Sequence, residues 1–295
     1  MRVFVTGATG FIGSATVQEL IRAGHQVLGL ARSDAAAKSL SAAGAQVHRG
    51  DLEDRDSLRR GAAASEGVIH TGFNHDFSKF KENCEMDKRA IEAMGAVLAG
   101  SDRPFVITSG TALVSPGRLA TEDTAPPANP SFPRISEYVA AELAAKGVRA
   151  SVVRLSPSCH GDGDHGFVPI LINMAREKGV SAYVGEGKNR WTAVHRLDAG
   201  SLFRLALEKG PAGARYHGVA EEVTFRDIAQ AIGKGLNLPV VSKSPDEAAQ
   251  HFGWFAHFAA IDSPASSQLT QERLGWRPAQ PSLLTDLERG NYFKI

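Results

Sequence analysis

The feature that most constrains this chain is a glycine-rich turn between an apolar strand and an amphipathic helix, close to the start of the sequence. Residues 2–6 form a short apolar run, and Gly7, Gly10 and Gly13 follow at GxxGxxG spacing. Apolar residues then recur at helical spacing and predict a helix over 11–23. A strand that enters a helix through such a turn is typical of the first half of a βαβ unit, so the chain is expected to begin a parallel sheet.

Each glycine of the turn has a separate physical task. Gly7 permits the tight turn, Gly10 lets the backbone approach a ligand closely, and Gly13 lets the helix pack against the sheet. The helix N-terminus offers unpaired N–H groups and the positive end of the helix dipole, which together attract phosphate groups. The turn therefore predicts a dinucleotide site, with further contacts from Thr9, Phe11 and Ile12.

Strand and helix signals alternate through the first half of the chain. Strands are predicted at 2–6, 26–31, 45–49, 67–70, 104–108 and 149–155, and helices at 11–23, 34–43, 54–64, 79–99 and 134–146. Such repeated units predict an α/β fold with a doubly wound parallel sheet of the Rossmann type. The pattern breaks down after about residue 156. We therefore expect a dinucleotide-binding domain formed by 1–156 plus about 190–220, and a smaller C-terminal substrate lobe formed by about 157–189 and 221–295.

Composition limits the classes of partner. The chain has 33 Lys and Arg residues against 32 Asp and Glu residues, which argues against recognition of nucleic acid or a membrane surface through bulk charge. The two cysteines, Cys84 and Cys159, have no zinc-site spacing and are expected to be reduced thiols. Because Gly7 and Gly10 interrupt the first apolar run, no signal peptide is expected, and no run is long enough to span a membrane. These features predict a cytoplasmic protein with a small-molecule partner.

The end of the second predicted strand bears on the choice of dinucleotide. A site that prefers NAD places Asp or Glu there to bind the ribose 2′-hydroxyl. This chain has Arg32 and Ser33, which offer a guanidinium and a hydroxyl to a 2′-phosphate, so NADPH is favoured over NADH. The alternative is that Arg32 is an ordinary surface residue. Asp51 and Leu52 follow the third strand and are interpreted as adenine contacts, the alternative for Asp51 being a helix N-cap.

Several motifs together resemble the short-chain dehydrogenase/reductase superfamily, in its extended and atypical branch of NAD-dependent epimerase/dehydratase-like proteins. They are the Thr-Gly-x-x-Gly-x-x-Gly turn and the segments at 50–52, 68–72, 152–161, 194–198 and 274–278. The resemblance implies that Thr71, Gly72 and Phe73 flank the ribose and pyrophosphate, that Thr108 and Ser109 lie beside the cofactor, and that Pro157 lies near the nicotinamide. It also implies an oxidoreductase that acts on a small-molecule carbonyl substrate, and a homodimer formed through the helices at 79–99 and 134–146.

The resemblance also implies a catalytic set that this chain does not reproduce. The family uses a Ser or Thr after the fifth strand, together with Tyr and Lys spaced YxxxK on the next helix. In the preferred register the hydroxyl position falls on Gly110, with Ser109 and Thr111 on either side. Tyr138 is followed four residues later by Glu142 rather than by Lys.

Two registers are open for the missing pair. If Glu137 corresponds to a later acid of the family's helix, the Tyr and Lys positions fall on Asn129 and Pro133; if Glu142 does, they fall on Arg134 and Tyr138. In either case Arg134 is a candidate to replace Lys at the ribose or a phosphate. Tyr138 is a candidate acid, and the alternative is a packed helix residue.

Two further clusters are candidates for the substrate side. The segment His160–His165 is rich in His and Asp; we expect no metal there and expect His160 or His165 to face the substrate, with His160 as a candidate proton donor in place of the missing Tyr. The aromatic residues at 252–258 are expected either to wall an apolar substrate pocket or to pack the lobe against the sheet. Phe73, His75 and Phe77 follow the fourth strand and are expected to face the binding crevice.

The sequence leaves three functional hypotheses. The first is an NADPH-dependent oxidoreductase that reduces an aldehyde or ketone with an atypical catalytic set. The second is a regulator or redox sensor that binds NADPH without turnover. The third, a nucleotide-sugar epimerase or dehydratase, is disfavoured by the missing Tyr and Lys.

Overall fold

A parallel β-sheet covered by helices on both faces forms the main part of the molecule. The computed structural model describes residues 1–128, 132–289 and 291–294. The strands are β1 (Arg2–Thr6), β2 (Gln26–Ala31), β3 (Gln46–Arg49), β4 (Gly67–His70), β5 (Phe105–Gly110), β6 (Ala150–Leu155), β7 (Ser158–His160), β8 (Ser181–Val184), β9 (Arg190–His195), β10 (Arg215–Gly218), β11 (Glu221–Thr224) and β12 (Val240–Lys243). The helices are α1 (Phe11–Arg22), α2 (Asp34–Ala42), α3 (Arg55–Ala63), α4 (Phe80–Leu98), α5 (Ser136–Ala145), α6 (Phe167–Lys178), α7 (Arg196–Lys209), α8 (Phe225–Leu236), α9 (Pro245–Phe252), α10 (Ala256–Ala260), α11 (Gln268–Leu274) and α12 (Leu283–Glu288).

The strand order places a crevice at one edge of the main sheet. In the described residues this sheet has seven strands in the order β10-β6-β5-β4-β1-β2-β3, and all its neighbours pair in parallel. The order reverses direction between β1 and β4: strands β1 to β3 lie on one side of this point, and β4, β5, β6 and β10 lie on the other. In doubly wound sheets, ligands bind outside the carboxyl ends of the strands at this switch point. The turn that follows β1 and the residues that follow β4 meet there.

Two apolar cores cover the faces of the main sheet. On one face, α1 and α7 pack together over buried residues of the central strands, including Val3, Val5 and Ile69. On the other face, α3, α4 and α5 cover a second set that includes Phe4, Val68 and Ile107. Successive residues of one strand thus enter opposite cores, which explains why the central strands are continuous apolar runs.

The rest of the chain forms a smaller lobe with its own core. A three-stranded sheet has the order β11-β9-β7, and β8 pairs with β12 in parallel. Helices α6, α8, α9, α10 and α12 pack around Trp191, Phe225 and Phe255, which are at most 1% exposed. The chain reaches this lobe after β6, returns to the main sheet with α7 and β10, and then enters the lobe again.

The predicted fold class is confirmed, and the predicted elements of the first half lie within two residues of the observed ones. The mixed pattern after residue 156 corresponds to short strands divided between three sheets, with β10 at the edge of the main one. The lobe boundaries proposed from the sequence remain a prediction. Within the described parts of the chain, no helix combines the length and apolar character needed to cross a membrane.

Candidate functional site

The glycine-rich turn is formed by close backbone packing between β1, β4 and α1. Gly7 has a φ of +63°, and a Cβ there would lie 2.7 Å from the Cα of Gly72. A Cβ on Gly13 would lie 1.9 Å from the carbonyl oxygen of Gly7, so α1 packs against the turn at a distance that only glycine permits. The nearest contact of a Cβ on Gly10 would be 3.2 Å away, again at the Gly7 oxygen, and Gly10 is exposed. The outer side of the turn is therefore open to a ligand.

The N-terminus of α1 has no side-chain cap. Gly10 occupies the N-cap position and provides no side-chain acceptor, whereas Ser33 caps α2 by accepting from the amide of Ala36 at 3.2 Å. The first N–H groups of a helix have no partner within the helix, and at α1 they adjoin the open side of the turn. Thr9 is exposed there, and Phe11 and Ile12 are half-buried. This donor set fits a dinucleotide pyrophosphate.

A chain of buried hydrogen bonds joins this turn to α4 and α5. The hydroxyl of Thr6 accepts from the amide of Gly72 at 3.2 Å and contacts Nδ1 of His70 at 2.7 Å. Nε2 of His70 lies 3.0 Å from Oδ1 of Asp87, and the hydroxyl of Ser136 donates to Oδ2 of Asp87 at 2.5 Å. Each of these side chains is at most 3% exposed. Burial alone would raise the pKa of Asp87, but the bond from His70 and the charge of Arg134 outweigh it and leave the pKa below its ordinary value.

Arg134 continues this chain of hydrogen bonds to the carboxyl ends of the central strands. Its Nε donates to the hydroxyl of Ser136 at 3.2 Å, and its Nη2 donates to the carbonyl oxygen of Thr108 at 3.3 Å. The guanidinium carbon lies 4.3 Å from the ring centroid of Phe73, which follows the Gly72 that packs on the turn. A fixed positive charge therefore stands in the crevice beside the residues that follow β4 and β5.

The geometry of the turn agrees with the result of family comparison. The family model described as "NAD dependent epimerase/dehydratase family" matches residues 3–217, which include every strand of the main sheet except the first residue of β1 and the last residue of β10. The chain belongs to the NAD-dependent epimerase/dehydratase family. This is an extended branch of the short-chain dehydrogenases/reductases, and its members are oxidoreductases and epimerases that depend on a nicotinamide dinucleotide.

Individual relatives cover most or all of the chain. An uncharacterized protein of Schizosaccharomyces pombe is 53% identical over 295 residues, which is 99% of this chain and 100% of that protein. The 4-hydroxy-2-methyl-3-oxo-4-farnesyl-3,4-dihydroquinoline-1-oxide ketoreductase of Stigmatella aurantiaca is 30% identical over 73% of this chain and 67% of its own length. A double mutant of the dTDP-glucose 4,6-dehydratase of Streptomyces venezuelae, solved with NAD bound, matches with a TM-score of 0.78 at 21% identity and covers 99% of this chain and 97% of that chain. The structural likeness shows the fold alone.

The residues predicted for the adenosine side lie together at the ends of β2 and β3. Arg32 is exposed directly after β2, while Asp34 is paired with Arg49 at 2.5 Å. Asp51 accepts from the amide of Glu53 at 2.9 Å. The N-cap of α3 is Asp54, so the alternative role considered for Asp51 is filled by another residue. A Cβ on Gly72 would lie 3.0 Å from Leu52, which places Leu52 beside the turn.

Two hydroxyl groups near the catalytic position of the family, those of Thr108 and Thr111, bond to other parts of the protein. Thr108 donates to the carbonyl oxygen of His70 at 2.7 Å, and this bond ties β5 to β4. Thr111 is buried and lies 3.2 Å from the hydroxyl of Thr192, while Ser109 is 6% exposed. Gly110, the position that the family's hydroxyl would occupy, has room for a side chain, because the nearest atom to a Cβ there is 3.8 Å away.

Tyr138 lies on α5 with its hydroxyl donating to the carbonyl oxygen of Pro127. Burial, together with the nearby Glu137, raises the pKa of Tyr138, which is opposite to the shift expected of an activated proton donor. Glu137 is 6% exposed and paired with Arg154, whereas Glu142 is exposed. Of the positions that the two registers assign to the family's Tyr and Lys, Asn129 lies outside the described residues.

His160 is not brought into the crevice. It is fully buried, and its Nδ1 lies 2.8 Å from Oδ2 of Asp286 on α12. In the same loop Asp164 accepts from the hydroxyl of Tyr292 at 2.9 Å, and burial raises the pKa of Asp164 to about 6. His165 is exposed, with its ring centroid 5.9 Å from that of Phe11. Pro157 is half-buried in the turn between β6 and β7. The loop is thus held by the C-terminal segment, and its His165 packs beside Phe11 at the start of α1.

The sequence analysis did not predict the buried hydrogen bonds that join His70, Asp87 and Ser136. A signal for them was present, because Asp87 shares a helical stripe with Ala90, Ile91 and Met94, all of which are buried. A carboxylate within an apolar stripe requires polar partners from neighbouring elements. Those partners come from β4 and α5, and pattern analysis of one helix does not identify them.

Proposed function

We propose that this chain is an NADPH-dependent reductase that converts an aldehyde or ketone to an alcohol. The observation that carries the choice of cofactor is the exposed Arg32 at the end of β2. The nearest acid in sequence, Asp34, is paired with Arg49, so its charge does not oppose a 2′-phosphate beside Arg32. A guanidinium binds a phosphate with two parallel hydrogen bonds, which makes Arg32 a suitable ligand for this group.

We assign to Arg134 the stabilisation of the substrate's carbonyl oxygen during the reaction. Bound NADPH would supply a hydride, and negative charge would then develop on the carbonyl oxygen of the substrate. The guanidinium of Arg134, held by Ser136 and the Thr108 carbonyl, is a fixed cation suited to stabilise that charge. The ketoreductase of Stigmatella aurantiaca, at 30% identity, supports a reductase over an epimerase.

We propose that solvent in the crevice supplies the proton that the substrate's oxygen takes up to form the alcohol. Tyr138 is bonded to the Pro127 carbonyl and has a raised pKa, and Thr111 is bonded within the protein. A guanidinium does not give up its proton in proteins, so the role that we assign to Arg134 is electrostatic. We therefore expect the rate to depend on this cation more than on Tyr138.

The test follows NADPH oxidation by absorbance with a panel of aldehydes and ketones, and measures NADPH binding separately by nucleotide fluorescence. Oxidation that is lost in Arg134→Gln and retained in Tyr138→Phe is the expected result. Tight NADPH binding without oxidation of the cofactor by any carbonyl compound would contradict the proposal.

That contrary result would support a second candidate, an NADPH-binding regulator without turnover. The observation in its favour is that Gly110 brings no hydroxyl to the position where the family places one, while the neighbouring Thr111 bonds Thr192. If this candidate is right, Arg32→Asp should weaken NADPH binding. Arg134→Gln should have no effect on turnover, because the wild-type protein has none.

A further inference from the structure

Aromatic side chains from three separate segments meet at the mouth of the crevice beside Arg134. We call this set the aromatic wall, and it consists of Phe73 and Phe77 from the segment after β4, Phe132 from the segment before α5, and Trp254 and Phe258 from the lobe. The rings of Phe77 and Trp254 are stacked with centroids 5.0 Å apart, and Phe132 lies 6.2 Å from Phe258. The wall therefore spans from the main sheet to the lobe.

The wall is continuous with the candidate active site. Phe73 directly follows Gly72, which packs on the glycine-rich turn, and its ring lies under the guanidinium of Arg134 at 4.3 Å. Phe80 connects Phe73, at 6.1 Å, with Phe77, at 5.7 Å. A molecule whose carbonyl oxygen reaches Arg134 can thus extend along ring faces toward Trp254.

The exposure of Trp254 distinguishes the wall from the core of the lobe. Phe252 and Phe255 of the same segment are 2% and 0% exposed and belong to the lobe core. Trp254 keeps 53% of its surface exposed and stacks one ring face on Phe77. Together with the half-buried rings of Phe77 and Phe258, Trp254 forms a contiguous apolar patch beside the crevice, and such patches mark binding sites.

We propose that the aromatic wall is the substrate-binding surface and that it selects carbonyl compounds with a flat, apolar body of aromatic character. The carbonyl part of this inference rests on the proposed reductase function. A nucleotide-linked sugar requires paired cationic donors for its diphosphate, whereas the wall offers ring faces and edges. The wall therefore favours a substrate that carries no phosphate.

The kinetic test uses two ketones that share their reacting group. 4-Phenyl-2-butanone and 2-butanone differ by the phenyl group, so the wall should lower KM for the first compound only. We expect Trp254→Ala to raise KM for 4-phenyl-2-butanone about 10-fold, with little change in kcat and none for 2-butanone. The matched control is Leu119→Ala, which removes another exposed apolar side chain, 59% exposed and outside the wall. Equal effects of the two substitutions on KM would overturn the inference.

A binding test separates this inference from the proposed reductase function. 4-Phenyl-2-butanol and NADPH are both reduced and do not exchange hydride, so their binding is measured by calorimetry without turnover. Weaker binding of the alcohol to Trp254→Ala than to Leu119→Ala supports the wall even if no ketone is reduced. Equal binding to both variants contradicts it. A wild-type dimer that dissociates on Trp254→Ala, observed by sedimentation, would make the wall a protein interface and would also overturn the proposal.

Discussion

Two arginines stand at opposite ends of the proposed cofactor site, and their surroundings differ. Arg32 is exposed after β2, whereas Arg134 is held by Ser136, the Thr108 carbonyl and the ring of Phe73. An exposed guanidinium can adjust to a ligand phosphate, and a guanidinium fixed by hydrogen bonds keeps its charge at one place. We therefore propose that Arg32 contributes to the affinity for NADPH and that Arg134 contributes to the rate of carbonyl reduction.

Arg32→Asp is expected to weaken NADPH binding by about 10- to 100-fold, because a charge-assisted hydrogen bond contributes about 1.5–3 kcal/mol. NADH lacks the 2′-phosphate, so its affinity should change little. Nucleotide fluorescence titration measures both constants. Arg22→Asp, at the last turn of α1, is the control for a change of surface charge. Equal losses for the two nucleotides would remove Arg32 from cofactor selection.

Arg134→Gln is expected to reduce kcat by about 10²- to 10³-fold, the usual effect of removing a group that stabilises an oxyanion. Arg134→Lys keeps the charge without the planar fork and should restore part of the rate. Stopped-flow or steady-state NADPH oxidation measures the change, and circular dichroism checks that the fold is retained. A higher KM with an unchanged kcat would instead show that Arg134 binds the substrate and the transition state equally well.

At the scale of elements, the contact between α1 and the glycine-rich turn sets the geometry of the site. A Cβ on Gly13 would lie 1.9 Å from the Gly7 oxygen, so Gly13→Ala must displace α1 from β1. We expect a loss of about 1–3 kcal/mol in the free energy of unfolding, together with loss of NADPH binding. The control is Gly110→Ala, where the nearest atom to the added Cβ is 3.8 Å away and stability should be retained. Urea unfolding compares the two variants.

The buried carboxylate of Asp87 predicts a dependence of stability on pH. Its pKa lies below the ordinary value of 3.8, so the native state holds fewer protons than the unfolded chain near that pH. The stabilisation from the ionised form is present above the ordinary pKa and is lost as the pH falls from there through the lowered pKa of Asp87. Wild type should therefore be more stable than Asp87→Asn at neutral pH, and the difference should shrink at about pH 3.

Urea unfolding at the two pH values measures this difference. Asp56→Asn serves as the control, because the side chain of Asp56 is 76% exposed in its pair with Arg59. A difference between wild type and Asp87→Asn that does not vary with pH would contradict the assignment of the low pKa to Asp87.

Local sequence predicted the elements well because each is specified by its own periodicity and end signals. Strands β1, β2 and β4 were predicted at their observed bounds, and the glycine-rich turn was placed correctly between β1 and α1. The partners of Asp87 and the stacking of Phe77 on Trp254 join residues far apart in sequence, and no local pattern specifies such pairs. For the same reason His160 looked accessible within a loop rich in glycine and aspartate, although α12 covers it with Asp286.

At the scale of the whole molecule, α12 contacts two histidines: His160, near the point where the chain enters the lobe, and His195, where the chain leaves it for α7. Asp286 lies 2.8 Å from His160 and 3.8 Å from His195. Asp286→Ala leaves a buried imidazole N–H without its acceptor, which should cost about 1–3 kcal/mol. We expect a fall in Tm of about 2–4 °C for each kcal/mol, measured by calorimetry. Asp102→Ala, at a side chain that is 93% exposed, should leave Tm unchanged.

The chain passes several times between the main sheet and the lobe, and this path limits how such a protein can be divided into fragments or recombined. After β6 the chain enters the lobe, returns with α7 and β10, goes back for β11 to α10, and then places Trp276 in the core beneath α1. Cutting the backbone after β6 would leave the lobe core on the same fragment as α7, β10 and Trp276, which belong to the main sheet and its core. A lobe with a different specificity therefore cannot be exchanged as a single contiguous cassette. Diversification of substrate range has to proceed by replacing side chains at the mouth, such as Phe77 and Trp254, within an otherwise interlaced framework.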